Sequence, residues 1–327
     1  MGKCESPILY SWKQGHLKLK IFITGGRGRL ARSLSPLLSQ QGHQIKTFSR
    51  NANAQNLPLA GFGRELERNL ADVILHLAWS TVPATAEFEP GIEWREDLPL
   101  LSLIGAHILR QKKTTGRAPL LVFFSSCSVY GDGRLSRPFR ETDPMRPIGW
   151  YARGKLEAER LLSYYHEAHG LPILVLRISN PYGFSQDEKT LQGVIPVLLR
   201  AGISGRPFRQ WGDGKAMKDF LHIQDLFGAI QQCLGKKIQG TFNVCSGHPI
   251  SLSELIRKTQ QALSKKVVIQ KEKKRSWDVR QASYSPLRIQ RATGWSPGIN
   301  LEQGLEICRQ AITDSQEKKS EELLHLF

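Results

Sequence analysis

The 327-residue sequence has no long apolar run, and none of its hydrophobic stretches approaches the roughly 20 residues that a membrane-spanning helix requires. No membrane insertion is therefore expected. The first residues, Met1 to His16, carry Lys3, Glu5 and Lys13 and lean apolar only from Pro7 to Tyr10, so a secretory h-region is missing. They read as an N-terminal extension (1–17), short and poorly ordered, on a cytoplasmic chain. Cysteine is sparse: Cys4, Cys127, Cys233, Cys245 and Cys308 are far apart, form no Cys-x-x-Cys pair and have no histidine at metal-ligand spacing. An odd, scattered set fits reduced thiols better than a disulfide framework, and no metal is expected. Internal repeats and low-complexity tracts are also missing.

Acid is in short supply. With 46 Lys and Arg against 29 Asp and Glu, the formal charge is +17. Part of the excess lies in one late stretch: Arg257, Lys258, Lys265, Lys266, Lys271, Lys273, Lys274, Arg275, Arg280, Arg288 and Arg291, opposed only by Glu272 and Asp278. Nucleic-acid binding would use such a stretch, but no helix-turn-helix, zinc finger or aromatic RNA-binding motif accompanies it, and no nucleic-acid partner is expected. A solvated face is the commonest origin of a charge run. The remaining reading is a pocket for an anionic small molecule such as a nucleotide diphosphate, which favours Arg and Lys.

What is present is an alternation. Leu19–Thr24, Gln44–Phe48, Val73–Ala78, Leu120–Phe124 and Ile173–Ile178 read as strands, separated by helical spacing over Leu30–Leu38, Ile92–Lys112 and Trp150–His169. Strands alternating with helices imply a parallel sheet covered on both faces. After Asn180 the pattern loosens around Pro181, Pro196, Pro207 and Gly212-Asp213-Gly214, and Thr241–Val244 resembles a late strand. The expected organisation is a dinucleotide-binding domain over 18–179, with 217–246 returning to it. A smaller substrate-binding domain would comprise 180–216 and 247–312, followed by a polar tail (313–327).

Thr24-Gly25-Gly26-Arg27-Gly28-Arg29-Leu30-Ala31 lies between the first strand and the first helix. Glycines let the backbone approach a pyrophosphate closely, and a helix N-terminus offers unpaired N–H groups and a positive dipole. At the end of the second strand an acid would bind a ribose 2′-hydroxyl, whereas arginine accepts a 2′-phosphate. The segment Phe48-Ser49-Arg50-Asn51 has no acid. The cofactor is thus NAD or NADP, and Ser49, Arg50 and Arg27 favour NADP.

Tyr151 and Lys155 lie four apart on a helical segment and share a face. Upstream, the strand ending at Phe124 runs into Ser125-Ser126-Cys127-Ser128, at the carboxyl edge where open α/β sheets bind ligands. A free phenol is a poor base at neutral pH. An ammonium about 5 Å away, at an effective dielectric near 20, contributes roughly 3 kcal/mol, which would lower the phenol by about two units.

In order, these motifs resemble those of extended short-chain dehydrogenases/reductases, in the NAD-dependent epimerase/dehydratase branch that includes UDP-glucose 4-epimerases. The likeness rests on the glycine turn, His76-Leu77-Ala78, Ser125 to Gly131, Tyr151-Ala152-Arg153-Gly154-Lys155, Arg177 to Gly183, Lys218 to Leu226, Phe242 to Gly247 and Thr293 to Pro297, and spans about Lys18 to Ala311. The resemblance implies an α/β Rossmann-type, doubly wound parallel sheet with a smaller C-terminal substrate-binding domain. It implies Tyr151 as acid/base, Lys155 as its partner and Ser126 as the catalytic hydroxyl. Gly25, Gly26, Arg27, Gly28, Arg29, Leu30, Ser49, Arg50, Leu77 and Ala78, with Tyr151 and Lys155, would hold the cofactor. Ser126, Cys127, Asn180, Lys218, Arg275 and Asp278 would hold a nucleotide-sugar substrate. A homodimer through paired outer helices is a further expectation. The implied activity is epimerisation by transient hydride transfer, with NADPH-dependent reduction of a 4-keto sugar as the alternative and a non-catalytic dinucleotide sensor as a distant third. Where 4,6-dehydratases carry an acidic pair after the catalytic Thr, this chain has Cys127 and Ser128, and where relatives place Asn it has Asp97.

Overall fold

The computed structural model describes residues 18–133, 137–184 and 193–324, with side chains as far as residue 314. The expected extension over 1–17 lies outside the described residues.

Six strands, β1 (Lys20–Thr24), β2 (Gln44–Ser49), β3 (Leu57–Pro58), β4 (Val73–His76), β5 (Leu120–Ser126) and β6 (Ile173–Ile178), join a late strand, Gly240–Val244, in one sheet. Its order is Gly240–Val244, β6, β5, β4, β1, β2, β3, and every pairing is parallel. β4 and β6 are buried at every position, as strands covered on both faces must be. Alternate residues feed opposite layers. Ile21, Ile23, Leu174 and Leu176 pack with Leu34 and Leu38 of α1 (Arg29–Gln40) and with Leu226 and Ile230 of the helix Ile223–Gly235. Phe22, Ile173 and Val175 face the other way. Their layer includes Phe62 and Leu66 of α2 (Phe62–Arg68), and the one-turn α3 (Pro83–Ala86) follows β4 along the chain. The same layer contains Leu101 and Ile104 of α4 (Leu98–Thr115) and Ala158 and Leu162 of α5 (Trp150–His169). The chain crosses from one face to the other between β1 and its neighbours, which opens a crevice at the carboxyl ends of β1, β2 and β4.

A separate cluster gathers Leu198 and Leu199, Leu255 and Ile256, and Leu305, Cys308 and Ile312, from the helices Val194–Ser204, Leu252–Leu263 and Leu301–Leu324. The strands Phe208–Trp211 and Ile269–Glu272 pair beside it. No helix among the described residues is long and apolar enough to cross a membrane.

Two local readings change. The helix expected from Ile92 starts instead as a π-turn, Glu93–Asp97, before α4 proper. The late basic stretch is not one face either. Arg257 pairs with Glu254 and Lys258 with Glu302, while Arg280 pairs with Asp213 and Arg288 lies over Phe242.

Candidate active site

β1 ends at Thr24, whose Oγ1 hydrogen-bonds His76 Nδ1 at 2.8 Å and accepts from Ala78 N at 3.3 Å, tying the glycine turn to the end of β4. Gly25 has φ +74°, and a Cβ there would lie 2.6 Å from Ala78 N, so only glycine lets the two loops touch. Gly28 is the N-cap of α1. It supplies no side-chain cap, and the first turn holds no acid, which leaves backbone N–H groups and the positive end of the dipole facing the crevice. The crevice is a cavity of about 610 Å³. Gly25, Arg27, Gly28, Leu77 and Ala78 line one part of it, and Ser49 and Arg50 another. A dinucleotide fits this donor set: bare helix N–H groups for a pyrophosphate and polar groups beyond β2 for a ribose.

Five residues of the expected cofactor set do not line the cavity: Tyr151 and Lys155, and three from the glycine turn and the start of α1. Gly26 is buried under Asn56, whose Oδ1 a Cβ would strike at 1.9 Å. Arg29 points away, its guanidinium 5.0 Å over Phe184, and Leu30 packs against the core.

At the other end of the crevice, Ser126 closes β5 and caps the short 3-10 turn Cys127–Tyr130. Its Oγ accepts from Ser128 N at 3.1 Å and from Ser128 Oγ at 2.9 Å, and it hydrogen-bonds the Tyr151 phenol. Tyr151 lies in the first turn of α5 with Lys155 one turn on, so the three expected catalytic residues converge. Lys155 Nζ donates to Phe124 O at 2.8 Å and sits 3.7 Å over the Trp79 ring, 5.8 Å from that of Tyr151. Trp79 also lines the cavity and thus stands between it and the ammonium.

The electrostatics differ from the expectation drawn from Tyr151 and Lys155 alone. The phenol is pushed up, first by burial and then by the carboxylates of Glu93 and Asp97, with the Ser126 hydrogen bond opposing. Lys155 is pulled down to about 7 by burial, against Asp97, Glu159 and Glu93. Glu93 and Asp97 come from the π-turn. Glu93 is fully buried: Thr81 Oγ1 donates to its Oε1 at 2.5 Å, and its Oε2 has no hydrogen-bond partner. It lies against Gly154, where a Cβ would come within 2.7 Å of Glu93 Cγ. Asp97 accepts from Ser80 N at 2.9 Å, and burial raises its carboxyl. The pairing of Gly154 with Lys155 was the one sequence signal that a bulky group sits on this face of α5.

Cys127 is corrected. It is 1% exposed, its Sγ donates to Arg177 O at 3.1 Å, and burial holds the thiol well above its usual range. It faces the interior because the turn after Ser126 rotates it below the sheet edge, so it belongs to the core and not to a substrate surface.

The remaining substrate candidates collect on the C-terminal side. Lys218 Nζ donates to Val279 O at 3.3 Å, and its ammonium is lowered by burial against the opposing pull of Asp278 and Asp132. Arg275 stacks 4.0 Å over Trp211, and Asp278 N donates to Arg275 O at 3.4 Å. Asn180 joins through Asp219, the neighbour of Lys218, whose carbonyl accepts from Asn180 Nδ2 at 2.8 Å. Among the described residues no group of three His, Cys, Asp or Glu is placed to hold a metal.

Comparison with known proteins adds family to geometry. UDP-glucose 4-epimerase of Halalkalibacterium halodurans is 26% identical over 310 residues, covering 85% of this chain and 91% of that one. dTDP-4-dehydro-6-deoxyglucose reductase of Escherichia coli is 24% identical over 306 residues, covering 88% and 95%. The solved UDP-glucose 4-epimerase of Thermus thermophilus, a complex with NAD, superposes with a TM-score of 0.78 at 24% identity, covering 90% of this chain and 98% of that one, and shows the shared fold. The profile of the NAD dependent epimerase/dehydratase family matches residues 21–245, and the chain belongs to that family.

Proposed function

We propose that the protein is a nicotinamide-dependent nucleotide-sugar epimerase that works by transient hydride transfer at a sugar carbon. The observation that carries this reading is the convergence of Ser126, Tyr151 and Lys155 at the carboxyl edge of the sheet, beside a cavity floored by Gly25 and Gly28. Bound there, the dinucleotide supplies the hydride acceptor and donor. Gly25 and the N–H groups after Gly28 hold its pyrophosphate, and Leu77 and Ala78 wall it. Ser126 Oγ orients the reacting sugar oxygen towards Tyr151 Oη, and Tyr151 moves the proton to or from that oxygen. Lys155, held between Phe124 O and the Trp79 ring, would bind the cofactor's ribose and bring its charge to the phenol. Lys218, together with Arg275 of the late basic stretch, neutralises the nucleotide diphosphate. Cys127 and Ser128 offer no acid for water elimination, so dehydration is not proposed.

A second reading has support from one observation. A phenol held above its ordinary value rests protonated, the form from which reduction of a 4-keto sugar by NADPH takes its proton. A homodimer through the faces of α4 and α5, where Leu103 and Tyr164 are exposed, remains part of the proposal.

Native mass spectrometry followed by turnover assays tests both readings. Co-purified NAD with interconversion of UDP-glucose and UDP-galactose supports the epimerase. An empty site with NADPH-dependent reduction of a dTDP-4-keto sugar supports the reductase. Tyr151→Phe should slow either reaction by about 10²–10⁴-fold while still binding cofactor. Unchanged turnover in that variant would end the catalytic assignment.

A further inference from the structure

No acid ends β2, and by sequence that leaves Arg50 free for a 2′-phosphate. The fold supplies an acid from elsewhere. Glu96, in the π-turn before α4, reaches across the cavity, and its Oε2 accepts from Arg50 Nη1. Arg50 Nη2 also donates to Ser80 Oγ at 3.4 Å. Ser80 Oγ lies 3.0 Å from Glu96 Oε2 and 2.9 Å from Asp97 Oδ1, and Ser80 N donates to both Asp97 oxygens at 2.9 and 3.1 Å. Asp97 thus fixes Ser80, and Ser80 with Arg50 fixes Glu96. Arg50, Ser80, Glu96 and Asp97 all line the same cavity as Arg27 and Gly28.

We propose that Glu96 sets the cofactor preference of this protein, cancelling the charge of Arg50 and standing its own carboxylate where a 2′-phosphate would enter. The site then takes the dinucleotide whose 2′-hydroxyl is free. The inference deepens the proposed function and rests on its dinucleotide-binding reading. Its physical basis is charge placement, not the strength of an exposed ion pair, which is small. A phosphomonoester carries nearly two negative charges near neutral pH and would meet Glu96 in a site whose nearest cation is already taken. A ribose hydroxyl instead donates to a carboxylate. Arg27, the other cation lining the cavity, belongs to the glycine turn itself, the place for the pyrophosphate.

Isothermal titration of the full chain with NAD⁺ and with NADP⁺ tests this without reference to turnover. The wild type should bind NAD⁺ more tightly. Glu96→Gln should narrow the ratio of the two Kd values by about tenfold, chiefly through tighter NADP⁺. Arg50→Gln added to Glu96→Gln should abolish that gain, and high salt should shrink it. A wild type that prefers NADP⁺, or a ratio in Glu96→Gln within twofold of wild type, overturns the assignment to Glu96 and leaves the dinucleotide reading intact. Binding of neither dinucleotide to the wild type overturns both.

Discussion

At the β2 end of the cleft, Arg50 and Glu96 meet with 65% and 42% of their side chains open to solvent. At the α5 end, Lys155, Asp97 and Glu93 are 5%, 3% and 0% exposed. The residue types match, but their surroundings do not. In water-like dielectric a pair at contact gains about 1 kcal/mol, and several times that where solvent is excluded. The open end can therefore recognise a ligand by sign of charge while adding little to stability. The closed end shifts proton affinities and is bound into the fold itself.

The first way to sharpen that contrast is to remove a charge beneath the closed end. Glu159 accepts from Ser125 Oγ at 2.5 Å and from Arg177 Nη2 at 2.7 Å, with Arg177 and Glu159 only 5% and 7% exposed. Glu159→Ala strands a buried guanidinium and should cost about 3–5 kcal/mol in urea unfolding. A loss under 1 kcal/mol would mean that this region is wetter than its burial implies.

The second is a pH profile. Burial lowers Lys155 from its ordinary 10.5 to about 7, so the unfolded chain holds this proton more tightly than the folded one. The resulting penalty is complete below pH 7 and fades as pH climbs towards 10.5. Relative to Lys155→Met, which lacks that proton, the wild type should gain about 2–4 kcal/mol between pH 7 and 10. Parallel curves for the two proteins would refute a depressed Lys155.

Gly154→Ala comes third. Its methyl group would press on Glu93 Cγ, and overpacking of this kind costs about 1–3 kcal/mol. Glu93→Ala keeps the Cβ that the new methyl group would meet at 2.8 Å, so Glu93→Gly is the partner that should recover most of the loss in a double-mutant cycle. Additive effects would show that the two residues do not share the space. The smallest effect belongs to the open end: Arg50→Ala should change stability by about 0.2–1 kcal/mol, less in high salt. A larger, salt-insensitive loss would erase the difference between the ends.

The sequence made the sheet and its catalytic residues legible for different reasons. Buried parallel strands such as Ile173–Ile178 announce themselves as apolar runs. Ser126 and the Tyr151/Lys155 pair stood out because a strand end and one helical turn place them predictably. Glu93 and Glu96 were hidden. Their segment reads as helix, and its polarity is inverted: Trp94 is 39% exposed while Glu93 is buried, the reverse of what hydrophobic periodicity assumes. A π-turn breaks the spacing as well. Cys127 was misplaced because order along the chain does not report the rotation of a 3-10 turn. Whether Arg50 is available depends on a contact 46 residues away, which no local rule at β2 can see.

The strand Gly240–Val244 has a consequence for how the chain is made. It pairs with residues 174–178 of β6, so that edge of the sheet stays open until residue 244 has left the ribosome. An unpaired edge of apolar residues templates association with other chains, and pairing this distant in sequence forms late. Nascent or truncated chains ending before Gly240 should therefore be chaperone clients and prone to aggregate.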